Sequence, residues 1–175
     1  MVAIEDGLIH PNDSVKTGNG KCKYYDLEML DTKPHGTITL QNAFEVSSNC
    51  GCSNPIFKHY NSDPEKYIEG LKDLGIHELL GLDINGEAKP YIKDASDNSF
   101  SGVTLPQMAI GYEVKLAPIQ ILTFYNAVAN NGKMMKPQFV RETRRNGKII
   151  ETYEPIVLRE KICSQRTIDL VKPML

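Results

Sequence analysis

Three observations predict a helix-dominated α+β fold. Apolar residues recur at three- and four-residue spacing behind helix-starting residues, as at Thr39-Leu40, Asp63-Pro64, Ala117-Pro118 and Ser164. Asn146-Gly147 separates two extended runs and is the strongest short hairpin signal in the chain. Pro-, Gly- and Asn-rich stretches join these elements, with no internal repeat and no low-complexity tract. The 175 residues suffice for one domain with a real core.

In chain order, Met1 to Gly7 reads as the close of a helix stopped by Asp6-Gly7. Leu8 to Lys21 is rich in turn formers and predicts loop with short strands, one further strand being Lys23 to Asp26. Asp31 to Gly36 reads as loop. Thr39 is placed to cap a helix from Leu40 to Val46, with Leu40, Ala43, Phe44 and Val46 as its apolar stripe. Gly51 offers a cheap left-handed position, and Asn54-Pro55 is expected to restart a helix to Tyr60. Ser47 to Asn49 would then lie in a tight link between two helices.

Asp63-Pro64 opens the next helix, with Tyr67, Ile68, Leu71 and Leu74 as core and Gly75 as its stop. Gly81 to Thr104 predicts a long surface excursion, of a length able to border a cleft. After a short apolar segment, Leu105 to Gly111, a helix runs from Ala117-Pro118 to Ala129 and ends at Asn131-Gly132. It is apolar around much of its circumference, which predicts burial. Phe139 to Arg144 and Lys148 to Tyr153 form the hairpin, and Ser164 caps a last helix with Ile168 and Val171 on its apolar side.

A net charge of -2 and a pI near 6.1 leave no basic footprint for nucleic acid or an anionic membrane. No apolar run reaches the roughly 18 residues of a membrane-spanning helix. The histidines His10, His35, His59 and His77 are scattered, and Cys50-x-Cys52 lacks the usual spacing of a zinc or redox pair. Neither metal nor cofactor is expected, and Cys22, Cys50, Cys52 and Cys163 read as free thiols. Both ends fall inside helix-like patterns, so an internal piece of a larger protein is expected.

The stretch Asn42 to Gly51 concentrates chemistry without charge. Ser47, Ser48 and Asn49 supply two hydroxyls and a carboxamide, groups that donate and accept together. They suit proton relay and amide recognition, and equally a plain helix cap.

Two blocks decide between these readings. The first is Gly36-Thr37-Ile38-Thr39-Leu40 through Ser47-Ser48-Asn49-Cys50-Gly51. The second runs from Ala109-Ile110-Gly111-Tyr112 through Ala117-Pro118-Ile119-Gln120 to Ala127-Val128-Ala129-Asn130-Asn131-Gly132, ending at Lys136-Pro137. In this order, and over nearly the whole chain, they resemble the transpeptidase domain of class B penicillin-binding proteins, most like the division-type enzymes. Residues 1–175 would be a partial transpeptidase domain of the penicillin-binding protein and serine β-lactamase fold, lacking the start of the nucleophile helix and the C-terminal sheet strands.

The family uses Ser-x-x-Lys, Ser-x-Asn and Lys-Thr-Gly in that order. No serine here has lysine three residues later, so the nucleophile is expected upstream. Lys16-Thr17-Gly18 precedes Ser-x-Asn in a Gly- and Asn-rich loop and reads as a decoy, the true third motif being expected beyond Leu175.

The resemblance implies Ser47 and Asn49 as catalytic residues and Asn49, Ser48 and Tyr112 as substrate-binding residues, with Ser48 also suited to capping. It implies a stem peptide ending in D-Ala-D-Ala as substrate, β-lactams as ligands of the full-length parent, and membrane proteins of the division complex as partners. The location implied is the outer face of the cytoplasmic membrane, with the parent anchored by an N-terminal helix. Relatives often carry glycine at the position of Glu113 and threonine at that of Ala117. The alternatives are a non-catalytic binding or scaffold module, an elongation-type transpeptidase, and a serine β-lactamase. Asn49 favours division over elongation, where Asp is frequent, and the second block disfavours the lactamase.

Overall fold

The computed structural model describes all 175 residues and is α+β, with 34% helix against 20% strand, so the helix-dominated class holds. The strands pair only two at a time. β1 (Ser14–Gly18) is antiparallel to β4 (Gly36–Thr39), with Val15 opposite Ile38. β2 (Lys21–Tyr24) and β3 (Leu27–Leu30) form a hairpin between them, closing at Tyr24 opposite Leu27. Tyr25 and Asp26 are therefore its turn, not strand as the sequence predicts, and Tyr25 takes a positive φ of 54°.

Thr39 caps α2 (Leu40–Glu45) as expected, its hydroxyl accepting from the Asn42 N–H at 3.1 Å. The next helix departs from expectation. α3 (Asn49–Tyr60) begins six residues before Pro55 and carries that proline inside it. Ser48, whose side chain accepts from the Gly51 N–H, starts the helix instead. Gly51 is helical, and the left-handed residue of the link is Ser47, at φ 54°. Glycine is required at 51 for space, since a Cβ there would lie 2.5 Å from that of Ala43.

α4 (Pro64–Asp73) is capped by Asp63 and followed by Gly75 at φ 80°. The long excursion contains one short strand, β5 (Tyr91–Ile92), paired with β6 (Val114–Lys115); α5 (Thr104–Met108) lies between them in sequence. α6 (Pro118–Ala129) is only half covered. Gln120, Thr123, Ala127 and Val128 face inward, while Ile121, Leu122 and Tyr125 remain exposed. Burial all round does not follow from an apolar circumference, because the elements present pack one side of the helix. β7 (Met134–Met135) pairs with β10 (Val157–Arg159). β8 (Glu142–Arg145) and β9 (Lys148–Thr152) form the expected hairpin, with Asn146 and Gly147 both at positive φ. α7 (Gln165–Val171) is capped by Ser164.

Two apolar clusters meet at α1 (Val2–Glu5). Val2 and Ala3 join Tyr60, Tyr67, Ile68 and Leu105, while Ile4 joins Val128, Met134, Ile162 and Ile168. Glu5 extends the tie, its carboxylate accepting from the Ser164 backbone N–H at 3.0 Å and hydroxyl at 2.7 Å. Cys22 and Cys50 are joined as a disulfide with Cα atoms 5.7 Å apart, which corrects the reading of four free thiols. Cys52 and Cys163 are free.

Candidate active site

Ser47, Ser48 and Asn49 occupy the junction of α2 and α3, but they face different surroundings. Ser47 is exposed, held out by its left-handed backbone. Ser48 is 1% exposed; its hydroxyl donates to Asp31 Oδ2 at 2.7 Å and accepts from the Gly51 N–H at 2.9 Å. That hydroxyl donates once and accepts once, and the bond it accepts is the cap of α3. Of the two roles expected of Ser48, this geometry supplies the cap.

Asn49 lies on the first turn of α3. Its Nδ2 donates to the Leu30 carbonyl at 2.7 Å, and its main-chain carbonyl accepts from the Ser53 hydroxyl at 2.6 Å. Its Oδ1 and second amide hydrogen have no partner within the chain. The side chain borders a cleft of about 560 Å³, lined by Leu27, Met29 and Leu30 of β3 and by Gln107, Ile110, Gly111 and Tyr112. The cleft thus brings together Asn49 and Tyr112, two of the predicted site residues separated by over sixty positions in sequence. Tyr112 is 64% exposed and follows Gly111, whose φ of 95° turns the chain there. Ser47 is not among the lining residues, and the excursion from Gly81 to Thr104 contributes none.

Glu113 takes φ 62°, a conformation that favours glycine, and its carboxylate meets Lys93 Nζ at 2.7 Å. The residue after Tyr112 is thereby tied to the strand pair β5–β6. At Ala117 no hydroxyl is available to cap α6, and Gln120 instead accepts from the Ala117 N–H at 2.8 Å.

Lys16-Thr17-Gly18 lies on β1 rather than in a loop. Its reading as a decoy rests instead on position. Thr17 points inward, its hydroxyl donating to the Gly36 carbonyl at 3.1 Å, and none of the three residues lines the cleft.

The sequence predicts only loop at Asp31. Its carboxylate accepts from Ser48 through one oxygen and from the Cys50 N–H at 3.0 Å through the other. Nothing in the local sequence marks it, since both partners lie at least seventeen residues away. Burial raises the pKa of the Cys52 thiol, with the Asp31 charge adding to the effect, so Cys52 stays protonated beside the site.

The profile of the penicillin binding protein transpeptidase domain matches residues 1–175. Penicillin-binding protein PbpB of Mycobacterium tuberculosis is 27% identical over 175 residues, covering 98% of this chain and 25% of the relative. The probable peptidoglycan D,D-transpeptidase PbpC of Pseudomonas aeruginosa is 22% identical over 157 residues, covering 90% of this chain and 27% of the relative. The chain therefore spans about a quarter of the length of these curated relatives. Among solved structures, the transpeptidase domain of Burkholderia pseudomallei penicillin-binding protein 3 superposes with TM-score 0.78 at 21% identity, over 99% of this chain and 48% of that one. Penicillin-binding protein 3 of Mycobacterium tuberculosis complexed with aztreonam gives TM-score 0.76 at 24% identity, over 99% of this chain and 38% of that one. The fold, the order of the two sequence blocks and the match along all 175 residues agree: the chain belongs to the penicillin-binding protein transpeptidase family.

Proposed function

We propose that residues 1–175 are part of the transpeptidase domain of a longer peptidoglycan D,D-transpeptidase acting in septal wall synthesis, and that they hold the middle of its active site. In that enzyme a serine outside this stretch attacks the terminal D-Ala-D-Ala carbonyl, its proton passing to a neighbouring lysine. The tetrahedral intermediate collapses to an acyl-enzyme as D-alanine leaves with a proton, and an amine of a neighbouring stem then takes the acyl group. Ser47 relays the proton to the leaving amine. The Asn49 amide donates to the substrate carbonyl while its oxygen orients the lysine.

The observation that carries the reading is the meeting of Asn49 and Tyr112 on one cleft, with Ser47 exposed two residues from Asn49. The disulfide Cys22–Cys50 supports a location outside the cytoplasm, where such bonds persist. The identity of Asn49, where elongation-type relatives often carry Asp, supports the division role. A membrane anchor and division-complex partners would belong to the longer protein.

The test is acylation by a labelled penicillin followed by intact mass. The 175-residue chain alone is expected to form no adduct and the full-length enzyme one per chain. Ser47→Ala or Asn49→Ala in the latter should slow acylation by about 10² to 10³-fold. An adduct on the isolated chain, or unchanged rates in both variants, overturns the assignment, and a full-length protein that forms no adduct points to a non-catalytic module.

A further inference from the structure

We infer that Asp31 is a positioning residue for Asn49: one carboxylate fixes the residues on either side of Asn49 and so sets where its amide points. The inference rests on the functional reading above and adds a residue to it. Asp31 follows β3 directly, and Leu30, its neighbour, supplies the carbonyl that holds Asn49 Nδ2 at 2.7 Å. Asp31 Oδ2 accepts from the Ser48 hydroxyl at 2.7 Å, and Oδ1 accepts from the Cys50 N–H at 3.0 Å. Ser48 is 1% exposed and Cys50 is fully buried, so water cannot replace either bond without the turn moving.

The carboxylate also faces the first turn of α3, where backbone N–H groups have no partner within the helix and the helix dipole favours negative charge. The same hairpin is fastened to Cys50 through Cys22, which keeps Leu30 and Asp31 in register with the turn. Asn49 is thus left with its own side-chain torsions and little else to vary. A group aimed at a reacting carbonyl loses its effect when displaced by about 1 Å, which makes a rigid seat worth having there.

The experiment is a double-mutant cycle in the full-length enzyme, reading the penicillin acylation rate and the final adduct stoichiometry. Asp31→Ala is expected to slow acylation about tenfold or more with one adduct per chain still reached. In an Asn49→Ala background the same change should cost less than twofold, because its effect passes through Asn49. Asp31→Asn, which keeps the shape and an acceptor for the Cys50 N–H, should fall between, and it carries the cycle if Asp31→Ala does not fold. A rate within twofold of the unmutated enzyme, an equal loss in both backgrounds, or a lower stoichiometry at unchanged rate overturns the inference alone. Failure of the unmutated enzyme to form an adduct overturns the functional reading and this inference with it.

Discussion

Replacing Cys22 with serine removes the bond that fastens the β2–β3 hairpin to the first turn of α3. The two cysteines are 28 positions apart, and closing a loop of that length restricts the unfolded chain by about 3.6 kcal/mol in the chain-entropy account. Cys22 is only partly buried, so its replacement adds little cavity cost, whereas Cys50 is fully buried and would complicate the result. A chain of 175 residues gains about 0.4 kcal/mol per kelvin of unfolding entropy near its midpoint, which converts the loss into a fall of about 10 °C in Tm. The assay is thermal melting of the unmutated chain and Cys22→Ser, each with and without a dithiol. The dithiol should lower the first midpoint to that of the variant and leave the variant unchanged. Alkylation of the denatured, unreduced chain should label two thiols, Cys52 and Cys163. Four labels, or a variant melting within about 2 °C of the unmutated chain, would refute the reasoning.

Gly51→Ala should destabilise by about 1 to 2 kcal/mol: overpacking against Ala43 and Ser48, at 2.5 and 2.9 Å from the new Cβ, outweighs the roughly 1 kcal/mol of helix propensity gained, and a urea midpoint reads it. An acid titration of stability tests Glu5, whose pKa burial pushes up but hydrogen bonds from Thr167 and Ser164 bring below its ordinary 4.5. Because folding lowers that pKa, the contribution is complete above about pH 4.5 and fades as pH falls through the folded value, and Glu5→Gln should flatten this part of the curve.

Local signals carried far. Thr39, Asp63 and Ser164 cap helices where the sequence places them, and Asn146-Gly147 turns the expected hairpin, because each choice depends on residues within one turn of the chain. Pro55 misled, since a proline suits a first turn but is also held inside a helix whose start, Ser48, is fixed by a distant partner. The reading of free thiols failed for a related reason. Cysteine spacing says nothing of whether two thiols meet, although an expected site outside the cytoplasm already favoured a bond.

The sequence by itself determined the helix-dominated class and the order of the two blocks, which follow from local chemistry and motif order, and through the family resemblance it named the candidates Ser47, Asn49 and Tyr112. Only the tertiary structure decided that Asn49 and Tyr112 share a cleft, that Ser48 caps α3, and that Asp31 and the Cys22–Cys50 bond seat the turn between them. Those facts rest on contacts between residues 17 to over 60 positions apart, and it is packing, rather than any local preference of the chain, that brings such residues within reach.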